Sequence, residues 1–154
     1  MRSLLETIML LKRVHYFELL RTDQLRHIVP LLEETGWVAG ERVFEKGDLS
    51  PEMFIIVQGM VGVSVSDDPN DKEFVTLLGD GDCFGEMGIL DDAPRSATIH
   101  VLKDTQAWSL GKEKLHGLLL SYPEFGIGML KALSRRLREA GNAPSSSAGD
   151  APED

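Results

Sequence analysis

Residues Phe84–Thr98 read FGEMGILDDAPRSAT and place a glutamate and an arginine nine positions apart in a glycine-rich segment. Gly85 allows the backbone to approach a ligand closely, and Glu86–Leu90 predicts one short helical turn whose first amides are free to donate to an anion. An ionised Glu86 only accepts hydrogen bonds, which suits a sugar hydroxyl. Arg95 carries a permanently charged, planar guanidinium whose N–H donors match the spacing of phosphate oxygens. The segment therefore predicts a site for a small, singly charged sugar phosphate.

Ser96 and Ala97 continue this pattern directly after Arg95. Ser96 offers a hydroxyl, and the small side chain of Ala97 leaves its own amide free to reach the same phosphate oxygens. The alternative interpretation is a pair of surface charges on a glycine-rich turn, which would add less than about 1 kcal/mol to stability. The glycines and Pro94 that surround the two charges are hard to explain by packing, so a ligand site is favoured.

Short runs rich in β-branched and apolar residues fill the chain between Trp37 and Leu110, with glycines between the runs. Glycine in such places allows the tight reversals that need positive φ. This pattern of short strands separated by turns predicts an antiparallel β-sandwich or barrel. The predicted strands are residues 37–38, 42–44, 53–58, 60–66, 74–78, 96–102 and 105–110.

Helical periodicity flanks these strands on both sides. Apolar residues recur every three or four positions over residues 3–15, and the same period returns after Lys112 and over residues 124–139. A second N-terminal helix is predicted to stop at Gly36. Residues 141–154 are too poor in apolar side chains to offset the entropy of ordering, so they predict a disordered tail.

The segment 84–98 resembles the phosphate-binding cassette of cyclic nucleotide-binding domains, which occur in cyclic-nucleotide-gated channels, protein kinase A regulatory subunits and catabolite activator proteins. Residues 43–48 and 53–59 are similar to the glycine-punctuated first strands of that family. The resemblance covers roughly residues 17–138 and implies an α+β fold, an antiparallel β-roll or jelly-roll barrel flanked by N-terminal helices and C-terminal helices. The expected parts are an N-terminal helical segment (1–36), a β-roll (37–111) that contains the cassette (84–98), C-terminal helices (112–140) and a disordered tail (141–154).

The resemblance also implies roles for individual residues. Glu86 is expected to take the ribose 2′-hydroxyl and Arg95 the cyclic phosphate. Because the family closes its last helix over the ligand, Arg135 is the first choice to stack on the base, with Leu133, Arg136 and Leu137 as further candidates; the alternative is that the leucines are core and the arginines suit a helix C-terminus. The expected ligand-binding residues are Phe84, Gly85, Glu86, Met87, Gly88, Arg95, Ser96, Ala97 and Arg135.

Composition limits the classes of partner. A chain of 154 residues with 42% hydrophobic content can bury one core. The net charge of −9 argues against sequence-independent binding to nucleic acid and against direct contact with anionic membrane. A single cysteine, Cys83, cannot form an internal disulfide, and Met1 is followed by no long apolar run. A cytoplasmic location is therefore expected.

Two functional hypotheses follow. The leading one is a non-enzymatic regulatory module that binds a cyclic nucleotide and converts occupancy into movement of its C-terminal helix; cyclic AMP is favoured, although Ser96 is compatible with cyclic GMP. The alternative is a ligand-free structural or oligomerisation module of the same fold. A metalloenzyme on a similar barrel is disfavoured, and no metal is expected, because the histidines have no paired spacing. The four histidines are His15, His27, His100 and His116.

The sequence does not indicate which activity such a module would regulate. No helix-turn-helix, kinase or channel segment is recognised after the last predicted helix. The resemblance therefore does not carry over transcriptional, kinase or gating output. The expected partner is a homodimer, a fused domain or a separate effector.

Overall fold

An antiparallel sheet packs against helices from the two ends of the chain in the computed structural model, which describes residues 2–142. The helices are α1 (Leu4–Leu11), α2 (Thr22–Ile28), α3 (Glu86–Leu90), α4 (Lys112–Ser121) and α5 (Pro123–Asn142). The strands are β1 (Glu33–Trp37), β2 (Arg42–Phe44), β3 (Glu52–Ser64), β4 (Thr76–Gly79), β5 (Cys83–Phe84) and β6 (Thr98–Gly111). Single 3₁₀ turns cover His15–Phe17 and Val29–Leu31.

The two long strands β3 and β6 form the centre of the sheet. The order is β1-β6-β3-β4, with β2 paired to β6 and β5 paired to β3, and the pairs are antiparallel. This path is open rather than closed into a complete barrel. The predicted antiparallel β-roll flanked by N-terminal helices and C-terminal helices is confirmed.

The predicted break in the chain at Gly59 is wrong, because β3 runs through it. Gly59 has φ 139°, and a Cβ there would lie 2.7 Å from Thr105 Cα on β6, so only glycine allows the strand to continue at this point. The pairing register with β6 shifts here, between Gln58 and Met60. The predicted break between residues 102 and 105 is also wrong, because β6 continues through it as one strand. Its pairing register with β3 is irregular.

The predicted stop of a helix at Gly36 is also wrong. Gly36 lies inside β1, and a Cβ there would sit 2.8 Å from Thr105 O, so this glycine permits close pairing of two strands. The sheet thus begins at Glu33, within the segment 1–36 that was predicted to be helical. At the other end, α5 continues through Asn142 and takes in the first two residues of the predicted tail, while residues 143–154 lie outside the described part of the chain.

The first predicted helix is shorter in the structure than its apolar pattern. Ser3 caps α1: its hydroxyl accepts from the Glu6 amide at 3.1 Å, and the Glu6 carboxylate accepts from the Ser3 amide at 2.8 Å. The helix ends at Leu11, so it covers the first two thirds of the predicted range 3–15. Ile8 and Leu11 are both buried, which makes the inner stripe of this helix part of the core.

The core consists of two clusters on the one sheet. Cluster one joins the N-terminal helices, α4 and α5 to one end of β3 and β6, and it includes Phe17, Leu25, Met53, Ile55, Trp108, Leu115 and Phe125. Cluster two lies on the opposite face of β3, because its residues Phe54 and Ile56 alternate with Met53 and Ile55 of cluster one. It consists of Phe44, Phe54, Ile56, Val61, Phe84, Ile99 and Val101.

The first turn after α1 packs tightly against α5. The rings of Phe17 and Phe125 lie 5.0 Å apart between centroids. Gly128 faces the backbone of Tyr16 so closely that a Cβ on Gly128 would lie 2.6 Å from Tyr16 O. The 3₁₀ turn His15–Phe17 and the first half of α5 therefore behave as one packed unit.

His100 gives the fold a pH-dependent element. It lies on β6, is 5% exposed, and its Nε2 has no hydrogen-bond partner among the described residues. The ring of Phe74 covers it at 5.4 Å between centroids. Burial, followed by the neighbouring charges of Arg42 and Lys72, lowers the pKa of His100, and the nearby carboxylates do not reverse this direction.

The folded protein is therefore expected to lose stability as the pH falls below about 6.5, the ordinary histidine pKa, because the unfolded chain then binds a proton that folded His100 does not. Thermal unfolding at pH ~7.5 and pH ~5.5 should show a smaller acid-induced drop for His100→Gln than for the parent protein. The exposed His27, changed to Gln, is the control and should leave the drop unchanged. Identical pH profiles for the parent and His100→Gln would contradict this account.

Candidate functional site

The cassette, residues 84–98, connects β5 to β6 through α3. Gly85 precedes α3 with φ 89°, and a Cβ on Gly85 would lie 3.0 Å from both Arg95 Nη1 and Glu52 O. Both the positive φ and the close approach require glycine. The predicted short helical turn at Glu86–Leu90 is confirmed.

Glu86 is a buried carboxylate with only 1% of its surface exposed. Its Oε1 accepts a short hydrogen bond from the hydroxyl of Tyr16 and lies 3.5 Å from Nη1 of Arg136 on α5. Both donors meet the same oxygen. In residues 2–142 no group donates to Oε2, so this second oxygen remains available as an acceptor.

The Tyr16 hydroxyl is a permanent donor to this carboxylate. Tyr16 is 2% exposed, and burial together with the adjacent charge of Glu86 raises the pKa of its phenol. The phenol therefore stays protonated throughout the physiological range. The neighbouring thiol of Cys83 is buried as well, and burial raises its pKa too, so it packs as a small apolar group.

Arg95 is the second charged group of the cassette, and it is 4% exposed. Its Nη1 donates to Gly85 O at 2.6 Å, and its Nη2 donates to Ser50 Oγ at 3.2 Å and to Glu52 O. Its Cζ lies 4.0 Å from the centroid of the Phe44 ring, within the range of a cation–π contact. Its Nε is buried and has no partner among the described residues.

The charged groups of Glu86 and Arg95 face different protein partners. The carboxylate faces Tyr16 and α5, whereas the guanidinium lies against Phe44 and the start of β3. The sequence predicted that the two groups converge on one space. Among residues 2–142 no hydrogen bond or ion pair joins them directly, and Arg95 Nη1 donates instead to the carbonyl of Gly85, the residue before Glu86. The atoms of the two groups that have no partner among residues 2–142 are Oε2 of Glu86 and Nε of Arg95.

The other predicted site residues occupy several environments. Phe84 is a core residue of cluster two, with its ring stacked on Phe54 at 5.3 Å between centroids, so its side chain does not face a ligand. Gly88 lies beside the guanidinium, since a Cβ there would be 3.4 Å from Arg95 Nη1. Met87 and Ser96 are exposed, and Ala97 is buried.

Arg135 and Arg136 make different contacts from α5. Arg135 Nη2 lies 3.6 Å from Glu18 Oε1, in a half-exposed pair at the N-terminal turn. Arg136 instead reaches Glu86. From the sequence, Arg135 was the first choice to stack on the base and Arg136 a further candidate. A helical period alone does not decide which of two adjacent side chains faces the cassette. Tyr16 was missed, since nothing in the local sequence links it to a glutamate 70 positions later.

The tip of the cassette is tied to α4. Asp92 has φ 55°, and among residues 2–142 no other non-glycine residue has positive φ. Its carboxylate pairs with Nζ of Lys112, the first residue of α4, and this hydrogen bond lowers the pKa of Asp92. The cassette thus contacts the N-terminal turn, α4 and α5.

Neither a metal centre nor a membrane span is found in the described range. Residues 2–142 contain no group of three or more His, Cys, Asp or Glu side chains arranged to hold a metal ion. None of the helices in that range is both long and apolar enough to cross a bilayer.

Comparisons with known proteins identify the family to which the sequence is similar. The sequence model of the cyclic nucleotide-binding domain family matches residues 36–122, more than half of the chain. The chain is 26% identical over 133 residues to the CRP-like cAMP-activated global transcriptional regulator of Mycobacterium tuberculosis, a match that covers 86% of this chain and 59% of that protein. It is 33% identical over 101 residues to the cyclic AMP receptor protein of Thermus thermophilus, covering 66% of this chain and 47% of that protein.

A solved structure gives the same result for the fold. The catabolite activator protein of Thermus thermophilus matches with a TM-score of 0.75 at 28% identity, covering 82% of this chain and 60% of that chain. The chain spans between 47% and 59% of the length of the two relatives named above. The fold, the cassette sequence and the family match lead to one conclusion: the chain belongs to the family of cyclic nucleotide-binding domains.

Proposed function

We propose that this chain is a non-enzymatic regulatory module that binds cyclic AMP through Glu86 and Arg95 and transmits occupancy to α5. The observation that carries the proposal is the buried Arg95 in the cassette, whose Nε has no partner among residues 2–142. A buried charged donor without a partner costs free energy. An anion at this position would supply the missing acceptor.

Local electrostatics favour an anion here despite the net charge of −9. An opposite charge about 4 Å away contributes about 4 kcal/mol at an effective dielectric near 20, whereas distant surface carboxylates are screened beyond about 8 Å in physiological salt. Glu86 supports recognition of the sugar, because its Oε2 is an acceptor with no donor in the described structure. Ser96 and the Ala97 amide follow Arg95 directly and are proposed to complete the phosphate site, with Gly85 and Gly88 giving the backbone access.

Coupling to α5 is supported by the contacts of Glu86. Arg136 links its carboxylate to α5, and Tyr16 links it to the turn that packs on Gly128. A ligand moves a helix only if it binds one arrangement better than another. A sugar hydroxyl that takes part of the carboxylate's hydrogen-bonding capacity changes how strongly α5 is held, which gives the required difference.

The two relatives named above support the choice of cyclic AMP, since both carry that ligand in their names. We propose that the output passes through a second copy of the chain, a fused domain or a separate effector. The net charge of −9 does not favour direct binding of this module to nucleic acid. Transcriptional activity, as in the Mycobacterium tuberculosis relative, would require parts of that protein beyond the matched 59%.

Calorimetric titration with cyclic AMP and cyclic GMP tests the proposal. We expect saturable binding with higher affinity for cyclic AMP, and weaker binding of the uncyclised 5′-monophosphate, whose dianion does not match a site for a single charge. Amide hydrogen exchange on the saturated protein should then change in α5 and in the His15–Phe17 turn. The absence of heat at high micromolar cyclic nucleotide would contradict the proposal.

The second candidate is a structural or oligomerisation module that binds no nucleotide. One observation favours it: Glu86 and Arg95 already have protein partners, so the cassette is largely satisfied without a ligand. This second function predicts no heat in the titration with cyclic nucleotides and no change of amide hydrogen exchange in α5. The titration therefore distinguishes the two functions directly.

A further inference from the structure

The hydroxyl of Tyr16 and the guanidinium of Arg136 both contact one oxygen of the Glu86 carboxylate. The hydroxyl donates to Oε1, and Nη1 of Arg136 lies 3.5 Å from the same atom. A carboxylate can accept through both oxygens, yet Oε2 receives no donor from residues 2–142. This asymmetry fixes which edge of the carboxylate remains available.

The position of Tyr16 is itself held firmly. The residue is 2% exposed, its backbone carbonyl packs against Gly128, and the adjacent Phe17 ring lies on Phe125. Its phenol therefore meets Glu86 from a fixed direction. A carboxylate on a flexible side chain otherwise loses rotational freedom when it binds a ligand, and that cost is reduced if a neighbour holds it in place beforehand.

From this geometry we propose that Tyr16 is a positioning residue: its hydroxyl fixes the Glu86 carboxylate on Oε1 so that Oε2 is presented to a sugar hydroxyl. The inference rests on the proposed function, because it needs a cyclic nucleotide with a ribose 2′-hydroxyl. Tyr16 does not touch the ligand. It acts through Glu86, from a part of the chain outside the cassette.

The test compares cyclic AMP with 2′-deoxy cyclic AMP, which lacks the hydroxyl that Glu86 would bind. In the parent protein cyclic AMP should bind at least about tenfold more tightly, as expected for a hydrogen bond to a charged acceptor. Tyr16→Phe keeps the ring and removes the hydroxyl. It should lower the affinity for cyclic AMP several-fold and leave the affinity for the deoxy analogue unchanged, so that the preference shrinks.

Tyr122→Phe is the matched control, because Tyr122 also packs against cluster one and its hydroxyl makes no hydrogen bond within the described residues. It should keep the full preference. Thermal unfolding of each variant shows whether it is folded. Should Tyr16→Phe fail to fold, Arg136→Met removes the other donor to Oε1 from a half-exposed position and should shrink the preference in the same direction.

An equal loss of affinity for both nucleotides in Tyr16→Phe would overturn the inference, since it would show a purely structural role. Tighter binding of cyclic AMP by that variant would overturn it as well, because Tyr16 would then be competing with the ligand for Glu86. If the parent protein binds neither nucleotide, the proposed function fails and the inference fails with it. Binding by the parent with a preference that no variant changes would sink the inference alone.

Discussion

Arg95→Ala is expected to weaken cyclic AMP binding by about 2–5 kcal/mol, or about 30-fold to 5,000-fold in affinity. Arg95 is 4% exposed, and its guanidinium Nε has no partner in the part of the chain that the structure describes. Its removal takes away the partner of the ligand phosphate in a site that is shielded from water, where such a pair is strongest. Calorimetric titration of the parent and the variant measures the effect.

The variant also loses internal contacts, so its folding must be measured separately. Without Arg95, the carbonyls of Gly85 and Glu52 lose their donors, which costs about 1–3 kcal/mol of stability if they stay buried. Titrations should therefore be run well below the unfolding temperature of each protein. Arg95→Lys keeps the charge but loses the planar guanidinium, so its affinity for cyclic AMP should fall between those of the parent protein and Arg95→Ala. Arg26→Ala, on the exposed surface of α2, is the control; equal affinity for it and Arg95→Ala would exclude Arg95 as the phosphate contact.

Gly128→Ala is expected to destabilise the protein by about 1–3 kcal/mol, which corresponds to a fall of roughly 3–10 °C in Tm. In an open helix the same change is stabilising, because alanine exceeds glycine in helix propensity by about 1 kcal/mol. Here the new Cβ would lie 2.6 Å from Tyr16 O and 3.2 Å from Tyr16 C. Backbone atoms cannot move aside cheaply, so α5 must shift away from the N-terminal turn.

Gly117→Ala on α4 provides the opposite case. A Cβ there would meet nothing within 4 Å, so this variant should gain stability from its helix propensity. Thermal or denaturant unfolding should therefore show stability changes of opposite sign for the two variants, although both replace glycine by alanine. A stabilising Gly128→Ala would show that α5 and the His15–Phe17 turn are not in tight contact.

Local patterns in the sequence predicted much of the fold. The strand at 42–44 has the predicted bounds, and the turn at 86–90 is the predicted helix. Failures occurred at Gly36 and Gly59, where glycine was taken as a breaker although it serves close strand pairing. A glycine in a turn and a glycine that admits a neighbouring backbone look the same in a single sequence, because the difference lies in residue Thr105 of a distant strand.

The candidate site was predictable where it is continuous in the chain. Glu86, Arg95 and the glycines between them form one segment, and chemistry at short spacing can be recognised without coordinates. The orientation of each side chain was not predictable, because it is set by contacts from elsewhere: Tyr16 and Arg136 for the carboxylate, and Phe44 for the guanidinium. Local sequence therefore indicated the candidate groups, while tertiary packing decides what they face.

The two hydrophobic clusters on one sheet have a consequence for recombination of this fold with its relatives. Phe84 belongs to cluster two, whereas Cys83 and Ile89 belong to cluster one, so the cassette is anchored in both. A chimaera that imports the helical layer of a relative would have to match cluster one and could keep cluster two unaltered. In such a hybrid the cassette would connect the two clusters. Its cluster-one residue Ile89 would need to come from the relative, and its cluster-two residue Phe84 from this chain.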